Sequence, residues 1–577
     1  MSFKHILLLP VAFLCFAGFA SAQSTNIPIG TYAYPVLQRL EIKSGQLAPQ
    51  FSTGIRPYTG KGAADFVWYL DSVSKVAQTD SIRYMHPYWH GLNLSKVDQY
   101  NIGKILEDNA EWVPDSAGFV PGKHPLWNTF FTDKANFITV DKKDFFLAVN
   151  PLLDVYAGKE SADNQFDYLT TRGVELRGLI ANKIGFYTSL TENQERPPFF
   201  VQNRIKQWDA VPGIGYYKTL KNGEADYINA SGYISFGVTK YINVQFGYGN
   251  NFIGDGYRSL LLSDYSPDYL FLKLHTHIWK LDYTNIFAQL TSQFSGPGDY
   301  LRPQKYMTVN DLSFNAVPWL NVGIMEAITY SRANHFEFAY LDPIIFNGFV
   351  QQALGSPDKD HIGFHAKAIV AHHFEFYGQW LFDEFKIKDF LSHNGWWGNK
   401  WAMQVGGKYV DAFSVKNLDL QAELNVIRPY TYTHDDSVSN YSNYNQPLAD
   451  PLGANLVEVD GIINYQPINR LYLNARIMVS QQGLDDSTSD WGGNIFINYD
   501  KRQQEYNNRI LQGLHNNIVN FSLTASYELA HNLYVDLSYL RRKNWGGYPE
   551  YWNLPNENTG FFSVGLRWNM GRRDYDY

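Results

Sequence analysis

The chain carries a single cysteine, Cys15, inside an apolar run at its beginning. Disulfides and thiolate metal sites are thereby excluded as supports of the fold. Cys15 also follows Leu14 rather than the small residue that a lipid-attachment site prefers. Beyond Phe19 no window approaches 18 consecutive apolar residues, which excludes a membrane-spanning helix. Excess charge is scarce too: a net of −8 over 577 residues argues against a nucleic-acid partner. Neither Gly-x-Ser-x-Gly nor Gly-x-Gly-x-x-Gly occurs, so a nucleophile elbow and a dinucleotide loop are both absent.

What is present begins with "MSFKHILLLPVAFLCFAGFASAQS". One lysine and one histidine precede an apolar stretch from Ile6 to Phe19, and Ala20-Ser21-Ala22 supplies the small-x-small cleavage pattern. This reads as a secretory signal over residues 1–22, with the mature chain starting near Gln23. The remaining ~555 residues are rich in aromatics, with 41 Tyr, 38 Phe and 15 Trp, yet mean hydropathy is only −0.32. Export, many aromatics, many glycines and no further cysteine fit an outer-membrane β-barrel, whose strands need apolar residues only at alternate positions. A secreted solenoid or sandwich would share that composition.

Alternation separates these readings, because one face of a barrel wall meets lipid and the other the lumen. In "RLYLNARIMVS", Leu471, Leu473, Ala475, Ile477 and Val479 share one face, with Arg476 and Met478 on the other. In "LVEVDGIINY", Val457, Val459, Gly461, Ile463 and Tyr465 oppose Glu458, Asp460, Ile462 and Asn464. "QPINR" joins the two as a hairpin turn. Seven further short turns are expected near Asn182, Thr239-Lys240, Lys280, Val317-Pro318, His372, Ser414 and His531-Asn532. Eight hairpins, with "DFFLAVNPLLDVY" before them and "GFFSVGLRWNM" after, make about 18 strands, with short turns on one rim and long loops on the other. "NIFINYD" is either a further strand or part of a loop, and the aromatic last strand suits the barrel-insertion machinery.

The expected class is therefore all-β: a transmembrane antiparallel barrel over 143–577, preceded by a periplasmic region with a helical bundle over 23–142. From Gly62 to about Trp112, Phe66, Tyr69, Leu70 and Val73, then Val97, Ile102 and Ile105, fall at helical spacing. Such a unit could cap the barrel mouth.

Candidate chemistry is sparse. "GYGNNFIGDGYRSLLLSDYSPDYLFLKL" invites a phosphate-loop reading, but Gly256 is followed by Tyr257-Arg258-Ser259 and the next element alternates like a strand. It reads instead as a loop of residues 250–267 facing outward or into the lumen. Its glycines serve tight turning or close approach, and Arg258, flanked by Asp255 and Asp264, serves as a tether or in a ligand site. Asp383-Glu384 and Glu423 raise glycoside hydrolysis, which needs two carboxyls about 5–9 Å apart. Strand neighbours point to opposite faces, so Asp383 and Glu384 are not that pair; lumen carboxylates matched by Arg428 and Arg476 are the plainer reading. His275/His277 and His372/His373 could be read as metal ligands; His275 and His277 share a strand face, but no third ligand stands in register. No catalytic residue, cofactor or metal site is expected, and no enzyme activity. Exposed Trp and Tyr beside Asn, Asp and Arg in three long loops, from Trp396-Trp397, Arg428 and Arg541 onward, suit sugars.

Four ordered segments, "FIGDGYRSLLLSDYSPDYLFLKL", "YGQWLFDEF…GWWGNKWAMQVGGKY", "AELNVIRPYTYTH" and "YNQPLADPLGAN", resemble the Bacteroidetes branch of the Wzi-type capsule assembly family, which includes gliding-motility proteins of the RemB type. The resemblance implies an 18-stranded outer-membrane barrel, a periplasmic helical bundle at its mouth, and attachment of capsular or other surface polysaccharide outside the cell. Partners would be that glycan and outer-membrane lipid. Gliding or export machinery is the alternative partner, and a solute channel the alternative activity. The glycan-binding candidates are Asp255, Tyr257, Arg258, Asp264, Trp396, Trp397, Arg428, Tyr430 and Trp545.

Overall fold

A computed structural model describes residues 24–77, 92–113, 134–162, 165–294, 300–332, 335–343, 346–546 and 557–577. The expected signal segment, and the part of the third aromatic loop from 547 to 556, lie outside the described residues.

Eighteen wall strands follow one another around a closed antiparallel barrel. The first nine are β1 (Phe145–Glu160), β2 (Phe166–Ile180), β3 (Ile184–Arg196), β4 (Ala225–Gly237), β5 (Ile242–Gly249), β6 (Tyr269–Ile278), β7 (Leu281–Thr291), β8 (Gln304–Val317) and β9 (Leu320–Tyr330). The second nine are β10 (Lys359–Val370), β11 (Phe374–Glu384), β12 (Lys400–Tyr409), β13 (Leu418–Ile427), β14 (Leu456–Ile468), β15 (Leu471–Leu484), β16 (Leu514–Ala530), β17 (Leu533–Gly546) and β18 (Glu557–Trp568). All eight expected short turns fall between strands on one rim. β18 closes on β1 from Phe561↔Glu160 to Trp568↔Leu153, and the short strand Ile138–Lys142 pairs with Phe145–Val149 just below that seam. "NIFINYD" is loop, not strand.

The alternation sorts as its chemistry requires. Ile477, Val479, Val459, Ile463, Phe562 and Val564 are exposed on the outer face, while Arg476, Glu458 and Asp460 are buried inside. Trp279, Trp319 and Phe413, all exposed, stand at the short turns where an aromatic girdle belongs.

Ahead of the barrel, three helices among the described residues pack into one unit: α1 (Ala33–Ser44), α2 (Gly60–Ala77) and α3 (Lys96–Asp108). Phe66, Leu70, Ile102 and Ile105 enter its core, but Tyr69 is exposed, one position off the buried stripe. α1, which the sequence reading did not assign, contributes Leu37 and Leu40 to the same core. Ser95 caps α3 through a reciprocal box with Asp98. The unit sits in the short-turn mouth and is fixed there by charge: Arg39, held within the unit by Asp98 of α3 (2.8 Å), bonds Asp411 (2.6 Å), and Lys104 bonds Glu528 (2.6 Å). Beside them, His531 in the β16–β17 turn bonds Asp108 at 2.6 Å.

Candidate functional site

The long-loop connection between β5 and β6 does not project outward. It descends into the lumen, because its side chains find there the partners that water would otherwise supply. Phe252–Ile253 forms an antiparallel pair with Ile55–Arg56 of the helical unit, and the Arg56 guanidinium lies 4.1 Å from the Phe252 ring centre. Leu260, Leu261 and Leu262 are fully buried against Met307, Val309, Met325 and Leu381 of the wall and Tyr432 and Tyr441 of the loop between β13 and β14. An inserted loop thus gives the lumen an apolar core, which a polar channel lining would lack.

Each candidate of this loop has a place. Glu423 of β13 accepts the backbone N–H groups of Tyr257 (2.8 Å) and Arg258 (3.1 Å), so Gly256 must pass close to the wall. A Cβ there would come within 2.5 Å of the Glu423 carboxylate. Arg258 bonds Glu458 at 2.9 Å and donates to the Asp576 carbonyl at 2.6 Å. Burial works against its charge, but Glu458 and Asp576 hold its pKa well above the usual value. Tyr257 donates to Asp576, which also pairs with Arg476 at 3.2 Å. Asp255 meets Lys367 at 3.1 Å; burial opposes its ionisation, and Lys367 and Lys408 outweigh that and lower its pKa. Asp264, with Tyr257, Arg258, Arg39, Arg56 and Arg476, lines a cavity of about 570 Å³ between the helical unit and the wall. Burial raises the Asp264 pKa against the opposing influence of Arg56.

Asp576 belongs to a segment that the strand pattern gives no reason to place inside. After β18, residues 569–577 fold back into the lumen, where Asn520 bonds the Tyr575 carbonyl (2.7 Å) and Arg573 bonds Glu195 (2.8 Å).

The second group of candidates meets at the long-loop rim. Trp396 and Trp397 donate their indole N–H groups to one carboxylate oxygen of Glu505, at 3.1 and 3.0 Å. Lys386 covers the Trp396 ring at 3.9 Å and Arg502 the Trp397 ring at 4.3 Å, while Tyr430 meets Trp397 edge-on at 6.2 Å. Trp396 and Trp397 are each 8% exposed and Tyr430 is fully buried, so these rings staple three loops together and are not the exposed platforms expected. Burial opposes the Glu505 charge, but Arg502 and the two indoles lower its pKa. Arg428 bonds the Asn508 carbonyl at 3.2 Å and matches no lumen carboxylate among the described residues. Arg476 pairs with Asp574 and Asp576 rather than with Glu423. Trp545 stands apart, 37% exposed on the outer face of β17, because the wall strand runs on to Gly546 where a loop was expected.

A bulge at Phe382/Glu384 overturns one further expectation. It brings Asp383 (3.3 Å) and Glu384 (2.9 Å) to the same Lys400, where regular pleating would have parted them. His275 and His277 both contact Asp282, at 3.1 and 2.8 Å; among the described residues no group of three such side chains is arranged to hold a metal. Glu458, Glu505 and Asp576 were missed by sequence reasoning. Only Glu458, opposite the apolar face of "LVEVDGIINY", left a signal.

No family model matches the chain, and no curated protein matches it. Among solved structures it is similar to Wzi of Escherichia coli, described as an outer membrane protein involved in group 1 capsule assembly and a carbohydrate-binding β-barrel. That likeness has a TM-score of 0.55 at 12% identity, over 95% of this chain and all of that one. Two Pseudomonas aeruginosa proteins, OprD and OccK3, follow at a TM-score of 0.41 and 9% identity, each over 73% of this chain and 94% and 95% of theirs. What the chain shares with Wzi, end to end, is the fold.

Proposed function

We propose that the protein is a non-enzymatic barrel of the outer membrane that holds capsular or another surface polysaccharide at the cell exterior. The observation that carries this reading is the lumen filled from both ends, by the helical unit from the short-turn rim and by the 250–268 loop from the other. A filled barrel suits holding a ligand at its rim better than conducting a solute through its middle. The sugar-facing groups are then those left open above the Trp396–Trp397–Glu505 staple: Tyr506, 49% exposed, with the Asp435 and Asp500 carboxylates. Rings that stack on C–H faces beside carboxylates that take hydroxyls are the pairing a neutral or amino sugar requires.

The test compares cell-retained with shed polysaccharide in strains carrying or lacking the gene. Retention should fall without it; equal retention overturns the reading. The Bacteroidetes branch that the four segments resemble includes RemB-type proteins, so equal retention together with co-purified gliding or export components would assign the barrel to those machines.

A further inference from the structure

The outer wall does not end where its strands end. Along the lipid-facing side of β10 and β11, Phe364 meets Phe382 (ring centres 6.2 Å apart) and Trp380 meets Phe382 (4.8 Å). The series then leaves the strand: Phe382 meets Phe385 at 4.9 Å, and Phe385 meets Phe390 at 5.1 Å. Phe390 lies on a short helix, Ile387–Leu391, whose Ile387 and Leu391 are 67% and 66% exposed. Apolar side chains at such exposure, joined ring to ring to a lipid-facing wall, are a contiguous surface rather than scattered residues.

Height fixes what that surface meets. From Phe374 at the short-turn end to Phe382 the strand advances about 27 Å at ~3.4 Å per residue, or about 21 Å of height at ~40° of tilt, against an apolar band of ~25 Å. Phe385 and Phe390 therefore reach the level where acyl chains give way to headgroups. Lys388, exposed on the helix itself, stands at the height of lipid phosphates, while Lys386 just before the helix turns back over Trp396 at 3.9 Å. The two preceding long loops, on the same sector of the barrel, expose Phe349 (73%), Phe338 (79%) and Leu301 (88%).

We infer that the segment Phe385–Leu391 is a lipid-seated anchor, lying in the boundary between acyl chains and headgroups of the leaflet at the long-loop rim and extending the lipid-facing surface beyond the barrel wall. This seat ties the 385–399 loop, and with it the Trp396–Trp397 staple, to the membrane plane on one side of the barrel. It stands independently of the polysaccharide reading, since it requires only that the barrel be embedded in a bilayer.

The test is site-directed spin labelling of the full chain in phosphatidylcholine vesicles. Replacing Cys15 by alanine leaves no native cysteine. A nitroxide is then placed at Leu391→Cys, with Phe376→Cys on the outer wall as the lipid control and Asp500→Cys on an exposed loop as the water control. Collision with oxygen relative to a water-soluble nickel chelate should match Phe376 at Leu391 and exceed Asp500 several-fold. A Leu391 value equal to that of Asp500 overturns the inference. So does a label shielded from both reagents with spin–spin broadening, which would mean that a second copy of the chain covers the helix. All three positions are partly or fully exposed, so labelling leaves the packing intact.

Discussion

Ile55, ahead of the barrel, stands directly opposite Ile253 in an antiparallel pair, although the loop bearing Ile253 starts from the far rim. The two ends of the barrel are thus hydrogen-bonded to one another inside it, with Gly254 donating to the Gly54 carbonyl at 2.8 Å.

The first prediction tests that junction. Directly paired antiparallel residues have the Cα spacing a disulfide needs. An Ile55→Cys/Ile253→Cys variant in a Cys15→Ala background should oxidise to an internal cross-link, read as a reducible shift on a gel. Failure to cross-link under oxidant would refute the inserted loop. The intact protein should give no stepwise conductance in planar bilayers.

Arg258→Ala should destabilise the inserted loop by about 3–5 kcal/mol. It leaves Glu458 buried and unpaired and removes the bond to the tail at Asp576. The measurement is the temperature at which the barrel loses its heat-modifiable gel mobility. An unchanged temperature would reduce Arg258 to a bystander.

Docking of the helical unit should weaken in alkali. Burial lowers the His531 pKa, but Asp108 and Glu107 reverse this and raise it from 6.5 to about 9. A group raised in the folded state contributes fully below its unfolded value and loses that contribution as pH rises through the folded one. The contribution, on the order of 2–3 kcal/mol, should therefore be complete below pH 6.5 and gone above about pH 9. At the acid end Asp411, half-buried but beside Arg39 and Lys43, is lowered to about 2, so its contribution is lost as pH falls from 3.8 through that value. Hydrogen exchange of α3, corrected for intrinsic rates, should show the alkaline step in the native protein and not in His531→Gln.

Gly256→Val should cost about 1–3 kcal/mol by forcing the loop off the wall, where Glu423 and Gln404 stand within 2.5 and 2.7 Å of the new Cβ. Gly249→Ala, whose Cβ meets only Phe271 at 3.8 Å, is the neutral control. Equal melting temperatures for the two variants would contradict the close approach.

Glu505→Ala removes the acceptor shared by Trp396 and Trp397. Two lost charge-assisted bonds on a half-exposed carboxylate should loosen the rim by about 1–1.5 kcal/mol, or roughly tenfold in the rate of limited proteolysis within 385–399. Glu505→Gln, which retains an acceptor, should recover most of the protection.

The sequence by itself determined the wall. Strand pairing in a barrel is local: a turn such as Gln466–Arg470 fixes the register of its own hairpin, and a period of two sends Val459 to lipid and Glu458 inward whatever lies farther along the chain. The helical spacing of Phe66, Leu70, Ile102 and Ile105 was legible for the same reason. What fills the barrel was decided only by the tertiary structure. Arg258 with Glu458, Asp576 with Tyr257, and Trp397 with Glu505 join residues about 100 to 320 positions apart. Their contacts depend on a lumen that exists once the barrel closes. Composition marked Tyr257, Arg258 and Trp397 as open and sugar-facing, because aromatic and charged residues in a loop look alike whether the loop meets water or turns back into a polar interior. The inward turn follows from partners that no local pattern encodes: wall carboxylates and lysines, distant in sequence, satisfy the loop's backbone and charges more fully when it is inside.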